Sequence, residues 1–318
     1  MGGNVTKKIP LLVVAGPTAS GKTSLAIRLA LQLGGEVVSA DSMQIYRGME
    51  IATAKPAAEE LAAVPHHLVS IAEPAERFSV AQYAPLAHAA IREIHARGRL
   101  PILCGGTGLY IQAVTEHLSY PEVEIDLQLR EALQQRSSES LYEELKGIDP
   151  ETRLHTADRK RVIRALELYY VTGMTIAEQN MKSRAKPSPY ACRMIFLSAR
   201  ERQTLYDRID RRVDLMLAQG LLEEAWQWRQ NPAETAAQAI GYKELEPYFL
   251  GECPLDEATA RLKQETRRYA KRQLSWFRRT AAEWNAREPG SCAELFIEDD
   301  VFAEAMQYLE TSSFRQLY

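Results

Sequence analysis

The chain has 318 residues, of which 46% are hydrophobic and 25% charged, a balance that excludes intrinsic disorder. The length points to two domains, or to one carrying a large insertion. A formal net charge of −3 excludes wholesale electrostatic capture of nucleic acid, so any polyanion must be met by local basic patches.

No apolar run approaches the roughly 20 residues that cross a bilayer, and Ile9 to Ala15 is short and leads directly into Gly16-Pro17-Thr18. A mature cytoplasmic protein with no membrane partner is expected. Cys104, Cys192, Cys253 and Cys292 form no C-x-x-C pair, which argues for reduced thiols over a zinc site or a disulfide framework.

Leu11 to Ala15 reads as a buried parallel strand. The following Gly16-Pro17-Thr18-Ala19-Ser20-Gly21-Lys22-Thr23 fits G-x-x-x-x-G-K-[ST], and Ala26, Leu29, Ala30 and Leu33 continue at helical spacing. Glycines let backbone N–H groups close around phosphate oxygens, and the helix N-terminus adds a favourable dipole. Lys22 adds charge and Thr23 is a Mg²⁺ ligand in such loops. The loop suits a di- or a triphosphate.

Glu36 to Ala40 is a second strand, and it ends in Asp41-Ser42-Met43-Gln44-Ile45-Tyr46-Arg47-Gly48. Ligands of open α/β sheets sit outside the carboxyl ends of strands, so Asp41 should face the phosphate loop's crevice. There it could hold Mg²⁺ through water, act as a general base, or cap the next turn. His66 and His67 follow Pro65 in an expected loop; adjacent histidines are not a helical i, i+4 metal pair, and they read as structural or surface residues. Ser79 to Arg97 carries Tyr83, Leu86, Ala87, Ala90, Ile91 and Ile94 on one face and closes at Gly98, a crossover helix. Leu100 to Cys104 is the next strand. It runs into Gly105-Gly106-Thr107-Gly108-Leu109-Tyr110, where Thr107 either orients a phosphate or base edge or caps a helix.

From His117 to Arg193 the α/β pattern gives way to polar helical segments, and Met194 to Leu197 restores a core strand. The expected organisation is a P-loop NTPase-like parallel sheet flanked by helices (1–116 and 194–318), an all-helical insertion (117–193), and a helical C-terminal region. Asp149 and Asp158 look like helix starts, Gly173 like a stop, and Thr175 with Glu178 like a capping box. Val162, Ala165, Leu166 and Tyr169 form an apolar stripe that leaves Lys160, Arg161 and Arg164 available, and Lys182, Arg184 and Lys186 lie in a basic return linker.

The main nucleic-acid signal is Arg261 to Arg279. Arg261, Arg268, Arg272 and Arg279 align in one row, Arg267, Lys271 and Arg278 in the next, with Glu265 as the one opposing charge in that stretch. Leu262, Tyr269, Trp276 and Phe277 take the remaining side. A chain that is acidic overall yet concentrates cations here favours polyanion binding over a solvated face. Arg208, Arg211 and Arg212 could extend the ridge or reach a bound diphosphate.

Gly16 to Thr23, Asp41 to Gly48 with Thr53-Ala54-Lys55-Pro56, Pro65 to Leu68, Gly105 to Tyr110, Arg161 to Glu167 and Lys271 to Arg278 together resemble the tRNA dimethylallyltransferase family, in order and over nearly the whole chain. Ala52 and Ser275 stand where that family usually has Gly and Thr. The resemblance implies a prenyltransferase that moves the dimethylallyl group of dimethylallyl diphosphate to N6 of the adenosine 3′ of the tRNA anticodon, position 37, with Mg²⁺ as cofactor. It implies Asp41 as the base and Thr107 as its catalytic companion. Gly16, Thr18, Ala19, Ser20, Gly21, Lys22, Thr23 and Arg208 would bind diphosphate, with Thr23 on the metal. It further implies that tRNA, met at its anticodon stem-loop, touches Asp41, Ser42, Met43, Gln44, Thr107, Arg130, Lys160, Arg161, Val162, Ile163, Arg164, Gln238, Gly241, Tyr242, Lys243, Lys271, Arg272, Gln273, Trp276 and Arg278, with no obligate protein partner. The rival readings fare worse: a small-molecule kinase or a prenyltransferase for free nucleotides leaves the basic helix idle, and a non-catalytic RNA-binding module leaves Asp41 and Thr107 idle. Glu298-Asp299-Asp300 lacks the D-D-x-x-D spacing of other prenyl-diphosphate sites.

Overall fold

The computed structural model describes residues 8–120, 126–184, 186–230, 239–312 and 314. The first apolar run forms β1 (Ile9–Ala15), buried after its first residue, as a strand covered on both faces must be. The phosphate loop leads into α1 (Lys22–Leu33), which stops at left-handed Gly34, whose N–H returns to the Ala30 carbonyl. β2 (Gly35–Ser39), a short α2 (Ala58–Ala63) and a two-residue β3 (His66–His67) follow. α3 (Val80–Ala96) opens with a Ser79–Gln82 capping box, then come β4 (Leu100–Gly105) and α4 (Gly108–Thr115).

The chain divides into two compact units, 1–115 with 188–318, and 116–187. The smaller is helical: α5 (Leu127–Gln134), α6 (Ser138–Ile148), α7 (Arg159–Thr172) and α8 (Ile176–Ser183). Leu133, Leu141, Leu145, Val162, Ile163 and Leu166 form its core. The Thr175–Glu178 capping box and the Gly173 stop are present. Asp149 is a correction: it ends α6, its N–H bonding the Leu145 carbonyl at 2.7 Å, and starts no helix.

The chain re-enters the sheet at β5 (Tyr190–Ser198), so this unit ends at Pro187, short of the expected Arg193. Arg193 disguised the strand's start; its side chain pairs with Glu288 at 2.8 Å. Then come α9 (Arg202–Ala218), α10 (Leu221–Gln230), α11 (Glu246–Phe249), the 33-residue α12 (Leu255–Arg287), β6 (Cys292–Phe296) and α13 (Val301–Thr311).

The six strands lie in the order β3-β2-β4-β1-β5-β6, every pairing parallel. Leu12, Val14, Ile102 and Ile195 pack beneath α1 and α13 on one face. Leu11, Val13, Leu103 and Phe196 pack with α3, α4 and α12 on the other, Phe196 and Phe277 meeting at 5.7 Å between ring centroids. Ser39 lies opposite Cys104 and Ala15 opposite Gly105, so the loops after β2, β4 and β1 leave one sheet edge together.

α12 crosses that edge. A Cβ on Gly106 would stand 2.4 Å from Gln273 Nε2, and one on Gly108 would stand 2.2 Å from Trp276 Nε1. Only glycine admits so close an approach, which is why the second glycine-rich turn can receive the helix. Arg261, Arg268, Arg272 and Arg279 are exposed in their row. Glu265 is not the sole counter-charge: Arg267 of the second row binds Asp210 and Lys263 binds Asp214, both of α9 and each at 2.6 Å. These cations fasten α12 to α9. The four cysteines are free thiols.

Candidate active site

In the phosphate loop Ala19 and Gly21 adopt left-handed backbone, with φ of 64° and 88°. Such alternation turns successive N–H groups into an anion-binding concavity. Lys22 begins α1, and burial pulls its ammonium below the usual lysine value, while Asp41 pulls it back up. Arg208 of α9 brings a guanidinium nitrogen to about 4.0 Å from the Cβ position of Gly21.

Asp41 lies two residues past the end of β2, facing this loop. Its Oδ1 accepts from the backbone N–H groups of Met43 at 2.9 Å and Gln44 at 3.3 Å, so it caps the next turn. One oxygen does this; among the described residues none bonds Oδ2. The Thr107 hydroxyl oxygen accepts from the Ser42 N–H at 3.0 Å and donates to Ser42 Oγ at 3.3 Å, tying the turn after β4 to the Asp41 loop. Thr107 thus reaches the site through Ser42 and through Tyr269.

A cavity of about 280 Å³ opens between these loops and the two helices α9 and α12. Thr18, Lys22, Thr23, Asp41, Ser42, Met43, Gln44, Gly241, Lys243, Arg272 and Gln273 all border it, whereas Gly16, Ala19, Ser20, Gly21, Arg208 and Thr107 of the expected site do not. Arg212 borders it too. Burial lowers its pKa from the ordinary arginine value and Asp41 opposes this, so the carboxylate faces two half-buried cations, Lys22 and Arg212. Arg212 lies one turn beyond Arg208, and that i, i+4 spacing was the available signal. Tyr269, on the side of α12 away from its cationic rows, lies on the cavity wall. Burial, then the Asp41 charge, push its hydroxyl pKa up, against Arg272 and a hydrogen bond with Thr107. Val213, Met216, Leu221, Ile240 and Leu262 give the cavity an apolar side that no sequence pattern distinguished from ordinary core.

Several of the residues expected at the diphosphate and the tRNA are engaged or buried inside the protein. Gln273 is 6% exposed, and its amide is engaged inside the protein: Oε1 accepts from the Thr18 N–H and Nε2 donates to the Gly106 carbonyl, both at 2.9 Å. The Thr18 N–H is therefore already committed. Ser20 is buried and its N–H bonds the Pro17 carbonyl at 3.3 Å. Tyr242 is buried and donates to Glu224 at 2.9 Å, while Trp276 packs on Gly108. In the smaller unit Val162 and Ile163 are core, 2% and 8% exposed, and Arg130 grips buried Glu167, with one bond at 2.9 Å. Lys160, Arg161 and Arg164 are exposed there, Arg164 3.3 Å from Glu167. Gln238 lies outside the described residues.

Among the described residues no cluster of three His, Cys, Asp or Glu side chains offers a protein-only metal cage. Among the oxygen donors on the cavity, Thr23 and Asp41 suit a Mg²⁺ carried largely by substrate phosphates and water. No helix of the described residues is long and apolar enough to cross a membrane.

Comparison with known proteins adds the family. The model of the IPP transferase family matches residues 44–280, and that of the isopentenyl transferases matches residues 9–70. The tRNA dimethylallyltransferase of Geobacillus thermodenitrificans is 49% identical over 289 residues, 88% of this chain and 90% of its own. That of Geobacillus kaustophilus is 50% identical over 274 residues, 84% and 86% of the two chains. The crystal structure of the tRNA isopentenylpyrophosphate transferase of Bacillus halodurans superposes with a TM-score of 0.70 at 40% identity, covering 98% of both chains. A eukaryotic dimethylallyltransferase that acts on tRNA gives 0.80 at 29% identity, covering 97% of this chain and 80% of its own. Matches of this identity over this much of the chain, on a fold and a site of this form, place it plainly: the chain belongs to the IPP transferase family, that of the tRNA dimethylallyltransferases.

Proposed function

We propose that this enzyme transfers the dimethylallyl group of dimethylallyl diphosphate to N6 of the adenosine at tRNA position 37, giving N6-isopentenyladenosine and diphosphate. The observation that carries this reading is the cavity in which Lys22 and Arg212 flank Asp41 and an apolar wall stands alongside. The cations suit a diphosphate, the wall a branched hydrocarbon, and the carboxylate an amine that must lose a proton.

Adenine N6 is a poor nucleophile because its lone pair is shared with the ring. As its bond to the allylic carbon forms, the carbon–oxygen bond breaks and its electron pair leaves on the diphosphate oxygen. Lys22, Arg212 and Arg208 take up that charge, and their partial burial makes each interaction stronger than in open water. Once the diphosphate occupies the two cations that Asp41 otherwise faces, the Asp41 carboxylate is left to accept the N6 proton. Thr23 is the residue that would hold a Mg²⁺ arriving with the diphosphate, and the ion would supply further positive charge to the leaving oxygens.

A stacked anticodon-loop base must turn out of its stack to enter such a cavity, and recognition then falls on single-stranded RNA and backbone. The exposed Arg261, Arg268, Arg272, Arg279, Lys271 and Arg278 of α12, with Lys243, supply the phosphate-facing charge of the larger unit. Lys160, Arg161 and Arg164 supply that of the smaller. The enzyme works in the cytoplasm without an obligate protein partner. The test is incorporation of labelled dimethylallyl diphosphate, with Mg²⁺, into unmodified tRNA and into free AMP, with ATP consumption followed in parallel. Label in tRNA alone supports this function; label in AMP alone, or ATP turnover without label, refutes it.

A further inference from the structure

We propose that His66 belongs to the cation site: its Nε2 accepts a hydrogen bond from a water in the hydration shell of a divalent cation seated at Thr23, within a side chamber off the main cavity. The proposal rests on the reading of that cavity as a diphosphate site.

His66 opens β3, paired with Val37 of β2 at the sheet edge. Its Nδ1 lies 2.7 Å from the Val64 carbonyl oxygen, which can only accept, so Nδ1 carries the proton and Nε2 carries the lone pair. Nε2 is buried and has no hydrogen-bond partner among the described residues. Burial, opposed by the Val64 bond and by Glu60, holds the ring's pKa below the usual histidine value, and the neutral ring is the form that keeps this acceptor. A buried acceptor left unpaired costs about 1–3 kcal/mol, so the position calls for a donor.

The chamber identifies the donor. It has about 20 Å³, room for one water molecule, and His66 shares it with Thr23, Ser39, Asp41 and Gln44. No described donor of the protein reaches Nε2, and several of those that border the chamber are bonded elsewhere. Ser39 Oγ donates to Gln44 Oε1 at 3.3 Å, and Gln44 Nε2 donates to the Thr53 and Ala54 carbonyls at 3.3 and 3.1 Å. Lys22 Nζ donates to the Pro17 carbonyl at 3.3 Å. The donor therefore comes from solvent. Thr23 and Asp41 border both this chamber and the main cavity, so a water in the chamber sits beside the oxygens that suit a hard cation. Mg²⁺ sheds its waters reluctantly and is held through them as much as by direct ligands. Histidine with one nitrogen locked to a carbonyl is a rigid receptor for such a water.

The test uses Mn²⁺ as the paramagnetic probe and inorganic diphosphate as the anion, with free Mn²⁺ read by electron paramagnetic resonance. Wild type, His66→Leu and His66→Gln are compared, the glutamine retaining an acceptor oxygen. With diphosphate saturating, His66→Leu should hold Mn²⁺ about 10-fold or more weakly, the range for partners that act on a metal through its ligands. His66→Gln should recover most of this, and diphosphate affinity in a chelator should be the same in all three. Equal Mn²⁺ affinity in wild type and His66→Leu overturns the proposal, as does an equal loss of diphosphate affinity without metal, which marks a purely structural histidine. A wild-type protein that binds no diphosphate overturns the site reading first, and the proposal with it. If His66→Leu does not fold, His66→Phe, which keeps a ring without the acceptor, carries the same comparison.

Discussion

Replacing Gln273 with leucine would cut both bonds by which α12 fastens the phosphate loop to the turn after β4. In the native protein the Thr18 N–H and the Gly106 carbonyl each meet the Gln273 amide at 2.9 Å, across 255 and 167 residues of sequence. Leucine fills the space but pairs neither group. Each such polar group left unsatisfied costs about 1–3 kcal/mol, so the variant should lose roughly 2–6 kcal/mol of stability. For a protein of this size 1 kcal/mol moves Tm by about 2 °C, and a fall of roughly 4–12 °C is expected. Gln273→Glu separates the two bonds: it keeps an acceptor for Thr18, loses the donor to Gly106, and sets a carboxylate beside the phosphate loop. It should raise the KM for dimethylallyl diphosphate more than Gln273→Leu does at comparable loss of stability. Thermal melts and steady-state kinetics with varied donor and varied tRNA decide the matter. A Gln273→Leu protein with wild-type Tm and donor KM but weakened tRNA binding would refute this reasoning and return the side chain to the RNA interface.

Asp41→Asn keeps an acceptor for the Met43 and Gln44 N–H groups but removes the base; kcat should fall by about 10²–10⁴ with tRNA affinity intact, and near-wild-type turnover would exclude the general-base role. Arg212→Ala should weaken inorganic diphosphate binding by about 10-fold or more, the loss of one charge-assisted bond, measurable by calorimetry. Glu167 is held below the ordinary carboxylate value: burial pushes its pKa up, but hydrogen bonds from Arg130 and Arg164 outweigh it. Its stabilisation is therefore present above the unfolded value of about 4.5 and is lost as pH falls through the lower folded value. Glu167→Gln should be less stable than wild type by about 3 kcal/mol at pH 7, with the gap closing below pH 4.5 in melts followed by circular dichroism; a gap constant with pH would contradict the pairing.

Much of this architecture was legible because it is local. The strand, glycine-rich loop and helix from Ile9 to Leu33 are contiguous, and the phosphate loop's chemistry follows from residues within one turn of each other. The crossover helix and the Thr175 capping box were equally plain. β3 and β6 escaped notice because His66-His67 and Cys292–Phe296 are short edge strands whose pairing depends on a neighbour, with no alternation to announce them.

The site divides the same way. The sequence alone determined the phosphate loop, a carboxylate at the end of the next strand, a glycine-rich turn at the end of another, and a long helix with a basic face, because each is a pattern within a few helical turns. Only the tertiary structure decided which cations face Asp41, that Tyr269 and an apolar wall close the cavity, and that Gln273 and Arg130 serve the protein's own packing. A helical period assigns a residue to a face but cannot name what that face meets. Lys263, Arg267 and Arg268 are equivalent cations in sequence, yet Asp214 and Asp210 of α9 claim the first two, while the third stays exposed beside Glu265 of its own helix. Partner choice of that kind is settled by packing between segments far apart in the chain, which no local pattern encodes.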